Sequence, residues 1–429
     1  MYGYQHELRH RLALTIRSAA CFALLPVVAC ASKRTLPLSC DFVPSNSNPT
    51  ATLGATQRFR EDSAFRRDCL RKSLVNHENS YSKVRLTRYD EHHWGRLPVA
   101  TFKSRPIVPE DLGKPPPILD ASWISIPSGV FANSTAGLEQ RGKQMFTRFP
   151  AQVERAMFPI LQSKDGPARY GVWQTPQSVG GMVWVALPGG VYPSLTCSSC
   201  HAALDRNGTL RLGLPNHRLD LGKAKDDYLA TRSLYSTWGP GREDIAADGK
   251  DNPVVIADVR AVRFEQYLHR TANVRNSLIG LALRVETGLI VAHFEEVRPD
   301  PGDAFALAYY LWSLGETFNL DSPKHHPARR IFEQHCARCH AGPSHAGPPV
   351  PAESIESSVA QMRNFARGTG NLQAISLLGV ADRKLMLYGG EVKSIDELLD
   401  PNRNVGGHYV GRSLTADERA ALRDYLEKL

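Results

Sequence analysis

At 429 residues, with 42% hydrophobic and 22% charged content, the chain is long enough for two domains and a further segment. The formal charge of +9 is not gathered into any lysine/arginine run with interleaved aromatics, which argues against nucleic acid as a partner. A mildly basic face of this kind suits an acidic redox partner instead.

The first predicted element is an export signal over residues 1–29. Arg9, Arg11 and Arg17 precede an apolar stretch, Ala19 to Ala29, that is too short to span a membrane. It ends Val27-Val28-Ala29-Cys30, a lipobox-like run that makes Cys30 a candidate lipid anchor, with ordinary cleavage near Ala29 as the alternative. Either outcome places the chain in the periplasm or on a membrane facing it. Removing the leader takes away +2 and leaves +7.

Residues 30–134 carry Ser/Asn/Pro clusters and a proline-rich stretch, Pro106 to Pro117. They read as a tether followed by irregular chain wrapped around the rest. His92-His93-Trp94 reads as surface loop within it. Cys40 and Cys69 are equally compatible with a disulfide and with two free thiols.

The chemistry sits in two pentapeptides, Cys197-Ser198-Ser199-Cys200-His201 and Cys336-Ala337-Arg338-Cys339-His340. C-x-x-C-H is the attachment signal of a c-type haem: two thiols add across the vinyl groups and the histidine becomes the proximal iron ligand. A chain of this composition would hold roughly 0.005 such patterns by chance. Zinc is the weaker reading, because neither copy has a second Cys/His pair close by. The pattern predicts two covalent haem c groups on Cys197, Cys200, Cys336 and Cys339, with His201 and His340 on the irons.

Around these motifs the sequence repeats. Gly142-x-x-x-Phe146 opens the first copy and Ala306 to Leu314 closes it; Ala328-x-x-x-Phe332 opens the second and Ala421 to Leu429 closes it. Both endings read A-L-x-x-Y-L-x-x-L, one apolar face of a helix. The last helix begins with a capping box, Thr415 and Glu418, and the earlier one is expected to stop at Gly315. Each unit is thus a helix, a haem site and a second helix. The predicted fold is mainly α: two cytochrome c-like domains, 135–320 with its haem at 197–201 and 321–429 with its haem at 336–340. From Phe332 to Cys336 there are four positions, but from Phe146 to Cys197 there are fifty-one. That insertion includes a predicted hairpin, Met182 to Leu187 and Val191 to Leu195 about a Pro188-Gly189-Gly190 turn. A helical stretch is expected over Asn273 to Phe294. Asp244, Asp248 and Asp251 read as a solvated acidic turn, with calcium as the weaker alternative.

This arrangement resembles the bacterial dihaem cytochrome c peroxidase superfamily, which includes MauG-type and rubber-oxygenase-type enzymes. The likeness covers about residues 136–429. Gly142-Lys143-Gln144-Met145-Phe146 is similar to that family's opening G-x-x-L-F helix. The run from Leu387 to Leu399 resembles its Y-F-H-[DS]-G-x-V-x-x-L-x-E-A-V segment, with Tyr388 where the family has histidine. The resemblance points to His217, sixteen residues after His201, as a distal ligand of the first haem, with His269 and His293 as rivals. His408, flanked by Gly406 and Gly407 in a loop before the last helix, is the candidate distal ligand of the second haem, ahead of Met386, Met362 and His345. Trp184, Trp238 and Trp312 read as core. The functional expectation is an exported dihaem cytochrome that passes electrons between a redox protein or a small donor and an acceptor. The alternative is a peroxidase or oxygenase with one open iron.

Overall fold

The computed structural model describes residues 39–45, 47–126, 133–205, 207–231, 234–244, 253–321 and 325–429. The export signal and Cys30 lie outside these residues, as do Asp248 and Asp251 of the acidic turn. Residues 38–429 form one compact unit.

The segment before the first motif is not an irregular wrap. It folds into three helices, α1 (Pro49–Glu61), α2 (Ser63–Ser73) and α3 (Ser80–Arg88). Each starts on a side-chain cap: Asn48 accepts from Ala51 N–H, Asp62 from Phe65 N–H and Asn79 from Ser82 N–H. Phe59, Phe65, Cys69, Leu70, Tyr81 and Trp94 from this segment are buried in the largest hydrophobic cluster. A disulfide between Cys40 and Cys69 ties the start of the segment to α2. His92 and His93 are exposed, with Asp90 accepting from His93.

The mainly α expectation is also corrected: the fold is mixed, with 41% helix and 14% strand among the described residues. Strands β1 (Phe102–Pro106), β2 (Ile124–Ile126), β3 (Gln152–Val153), β4 (Val183–Leu187) and β5 (Gly190–Leu195) form one sheet in the order β2-β1-β4-β5-β3. All its pairings are antiparallel. The hairpin β4–β5 is its centre, so it is not an isolated insertion. The reason lies in β4: Trp184 packs into one hydrophobic cluster and Val185 into another. With both faces buried the strand needs partners on both edges, and β1, from the supposed wrap, supplies one.

Helix α4 (Thr135–Arg148) crosses α7 (Pro301–Ser313) beside α6 (Leu278–Ala292) in the main core. The crossing is tight enough that a Cβ on Gly142 would lie 2.0 Å from the Ala306 carbonyl oxygen. A buried ion pair clamps the same two helices, Arg141 to Asp303 at 2.6 and 3.0 Å. The α7 helix does not stop at Gly315; it tightens into a 3-10 turn, Leu314–Thr317. Near the C-terminus α8 (Arg329–His335) meets α9 (Ala416–Leu426) over a separate core, with Phe332 stacked on Tyr425 at 5.0 Å. The Thr415–Glu418 capping box is present. Trp184, Trp238 and Trp312 are all core residues. No helix among the described residues is long and apolar enough to cross a membrane.

Candidate functional site

Strand β5 delivers the chain into a single helical turn, α5 (Cys197–Cys200). Thr196 and Ser199 fix the turn: Thr196 N–H donates to Ser199 Oγ at 3.1 Å, and Thr196 Oγ1 donates to the Gly181 carbonyl at 2.8 Å. His201 N–H closes the turn on the Cys197 carbonyl at 2.9 Å. The second motif repeats this closure, His340 N–H to the Cys336 carbonyl at 2.9 Å. All four motif cysteines are free thiols, whereas Cys40 and Cys69 are paired. Burial pushes Cys197 and Cys336 up to about 12 and Cys200 well above its ordinary value. A redox dithiol needs the opposite shift.

Both motif histidines are held in the form a metal ligand requires. His201 Nδ1 lies 2.8 Å from the Ala257 carbonyl oxygen. His340 Nδ1 lies 3.1 Å from that of Ile375 and 3.3 Å from that of His345. A carbonyl only accepts, so the proton sits on Nδ1 and the Nε2 lone pair is available. Burial lowers His340 to about 4, so it is neutral.

The second site has a second imidazole. The His408 ring centre lies 6.2 Å from that of His340, with the ring planes at 88°. A nitrogen lies about 1.1 Å from its ring centre and bonds a transition metal at about 2.0–2.1 Å, so two imidazoles sharing one ion place their centres about 6 Å apart. The loop that presents His408 is built for close approach. Gly406, Gly407 and His408 all have positive φ (+78°, +72° and +55°), and a Cβ on Gly407 would lie 2.7 Å from the Ile355 and Glu356 carbonyl oxygens. Arg403 donates to the carbonyls of Val405, Gly407 and His408, and His408 N–H donates to Ile355 at 2.6 Å. His408 Nδ1 is buried without a partner, and burial keeps the ring neutral.

The first site differs. His217 is half-buried, and desolvation lowers it to about 4. Asn216 N–H bonds the Cys200 carbonyl at 2.8 Å, which brings this segment against the motif. Yet His217 Nδ1 accepts from the Lys384 backbone N–H at 2.8 Å. That donor is fixed, so the His217 proton sits on Nε2, the reverse of what an Nε2 ligand needs. In this conformation the His217 Nε2 is therefore a donor. His269 Nε2 is likewise occupied, by Arg284 Nε–H at 2.9 Å. His293 bonds the Pro150 carbonyl among Phe102 and Phe149, and His345 bonds Tyr425 Oη at 3.0 Å. Met386 and Met362 are buried in hydrophobic clusters. Among the described residues no ring contact like that between His340 and His408 occurs at His201.

Sequence reading missed the polar groups around the first site: Tyr81, Arg85, Arg284 and Arg367. One signal was available, since Arg284 interrupts an otherwise apolar helix, LIGLALRVETGLIVA. Among the described residues no cluster of three or more His, Cys, Asp or Glu side chains could hold a bare metal ion. The chemistry of the two donor sets, paired free thiols beside an Nδ1-protonated imidazole, fits a covalently held haem at each. No family model, curated protein or solved structure matches the chain.

Proposed function

We propose that the chain is an exported dihaem c-type cytochrome that transfers electrons through haems held by Cys197, Cys200 and His201 and by Cys336, Cys339 and His340. The observation that carries this reading is the pair of facing imidazoles, His340 and His408, 6.2 Å apart beside two free thiols. When bound, a haem supplies an iron that exchanges one electron at a potential tuned by its axial ligands and surroundings. The chain's part is to hold the rings: carbonyls orient His201 and His340, and Arg403 fixes the loop of His408. Two strong ligands at one iron suit electron relay. The Cys40–Cys69 disulfide supports an oxidising compartment, where covalent haem attachment also takes place. The likeness to the dihaem peroxidase superfamily supports the same reading.

Intact mass tests it. The mature chain should exceed its apoprotein mass by two haems, and Cys197→Ala with Cys200→Ala should remove one. A mass equal to the bare chain, or the chain plus zinc, ends the proposal.

The second reading, peroxide or dioxygen chemistry at the first site, is favoured by the lack of a facing imidazole at His201 among the described residues. Cyanide added to the ferric protein discriminates. One haem responding supports an open first site; neither responding leaves electron transfer as the whole function.

A further inference from the structure

Three arginines from separate parts of the chain converge near the first C-x-x-C-H: Arg85 from α3, Arg284 from α6, and Arg367. Tyr81 and His269 complete the group. The Arg85 guanidinium lies 3.4 Å from the centre of the Tyr81 ring, that of Arg367 lies 5.5 Å from it, and the His269 ring meets Tyr81 edge-on at 4.8 Å. Arg85 donates to Thr287 Oγ1 and to the Tyr81 carbonyl, both at 3.0 Å. The charge of Arg284 reaches the Cys197 thiol, where it opposes the effect of burial. Cys197 also packs against the hydrophobic cluster that contains Tyr81 and Leu283, so the group adjoins the first motif.

One donor at the heart of the group has no acceptor. Arg284 Nε–H occupies His269 Nε2, so the His269 proton lies on Nδ1, and that nitrogen is buried without a partner. The charges acting on His269 are those of the three arginines alone, and those acting on Tyr81 and Arg85 include no carboxylate. Neither Arg85 nor Arg284 forms an ion pair among the described residues. A buried cation without a counter-ion, as Arg85 is among the described residues, is strongly disfavoured, and so is a buried N–H without an acceptor, as at His269 Nδ1. One bound anion would relieve both, and a planar guanidinium fork matches a carboxylate.

We infer that Arg85, Arg284 and His269 form a carboxylate-binding site adjoining the first C-x-x-C-H. The carboxylate is either a propionate of the haem attached at Cys197 and Cys200, which rests on the dihaem reading, or a small organic acid from solution. Helix α3 lies outside the stretch that resembles the peroxidase superfamily, so Arg85 is a contribution of this chain's own N-terminal segment.

The test uses the full-length purified protein and the variants Arg85→Gln, Arg284→Gln and Arg284→Lys. Intact mass first counts the haems, so loss of the dihaem reading is seen separately from loss of the anion site. A haem-free chain leaves the acetate measurement to decide alone. Each protein is then titrated potentiometrically without added acid, and with sodium acetate against acetamide as the neutral control, following the Soret band and the thermal midpoint. A propionate occupant predicts no acetate binding, and a shift of the first haem's redox equilibrium toward the oxidised form in the Gln variants, on the order of tenfold, or about 59 mV. A small-acid occupant predicts saturable binding of acetate but not acetamide, weakened about tenfold or more in the variants. Arg284→Lys keeps the charge and loses the fork, so it serves if the Gln variants do not fold; it should move the same readout in the same direction by less. Variants with unshifted potentials and a wild type that ignores acetate overturn the inference.

Discussion

Replacing His408 with glycine removes the ring that faces His340 and leaves both thiols and His340 in place. Glycine is a better replacement than alanine because position 408 has φ +55°, a left-handed backbone that costs other residues about 1–2 kcal/mol. Losing the side chain opens a buried space of roughly 80 Å³, which at about 24 cal/mol per Å³ costs about 2 kcal/mol. The two terms largely cancel, leaving a loss of about 1 kcal/mol or less. Against a typical total of about 5–15 kcal/mol the variant stays folded. The loop also stays pinned, because Arg403 bonds backbone carbonyls and no part of the lost side chain. The assay is the ferric optical spectrum, with intact mass as the haem count. Both haems should be retained, and one should pass from low-spin to high-spin. Added imidazole fits the space left behind and should restore the low-spin spectrum. If the variant without imidazole keeps the wild-type spectrum, the 6.2 Å spacing of the two rings has been misread, and Met386 becomes the candidate ligand.

Three further outcomes follow from the structure and a fourth from the sequence. Cys40→Ala with Cys69→Ala frees a loop of 29 residues and should lower stability by about 3–4 kcal/mol in urea unfolding; an unchanged midpoint would show the pair to be dispensable. Asp303→Ala removes the carboxylate that Arg141 meets between α4 and α7 and should cost about 3–5 kcal/mol, whereas Arg141→Met with Asp303→Leu should recover most of it; equal losses in both would refute the ion-pair account. Burial pushes Glu265 up to about 7, against Gln373 and the charges of Arg270 and Arg383 and with a like charge on Asp258. The folded chain then keeps a proton that the unfolded chain loses near the ordinary value of 4.5, so stability should fall as pH rises from about 4.5 to about 7 and level off above; Glu265→Gln should flatten that slope, and its persistence would point elsewhere. Cys30→Ser should release the protein into the soluble periplasmic fraction, and unchanged fractionation would favour ordinary cleavage near Ala29.

The two C-x-x-C-H motifs were legible because a haem-attachment signal has a fixed spacing. The helices beside them were legible because leucine and tyrosine mark their buried faces. The N-terminal helices were not, for a physical reason. In α1 the buried positions are Thr52, Ala55, Thr56 and Phe59, a correct helical spacing carried mostly by small or polar side chains. In α2 Arg66 is buried among them, its charge met by Tyr89 and Glu286, which come from elsewhere in the chain. The sheet was hidden similarly. Strands β1 (FKSRP) and β2 (ISI) are short and contain proline or serine, and only the doubly buried β4 reveals that they are needed. The His217 tautomer was not legible, because spacing gives position and not tautomer. The group that sets its tautomer, the Lys384 N–H, is 167 residues away.

The contrast between the two sites is a contrast of tautomers, and it bears on which one relays and which one reacts. At the second site His340 presents a lone pair, His408 lies at a spacing that suits one shared metal ion, and both terminal nitrogens of Arg403 donate to backbone carbonyls of the His408 loop. At the first site only His201 presents a lone pair. His217 is held with Nε2 protonated by the Lys384 N–H, the Nε2 lone pair of His269 is taken by Arg284, and neither Arg85 nor Arg284 forms an ion pair among the described residues. Hydrogen-bond donors in a water-poor site stabilise negative charge where it develops; a group that only exchanges an electron between two fixed ligands has no need of them. On the dihaem reading, therefore, electron relay belongs to the site of His340 and His408, and any chemistry on an oxygen species or an acid belongs to the site of His201.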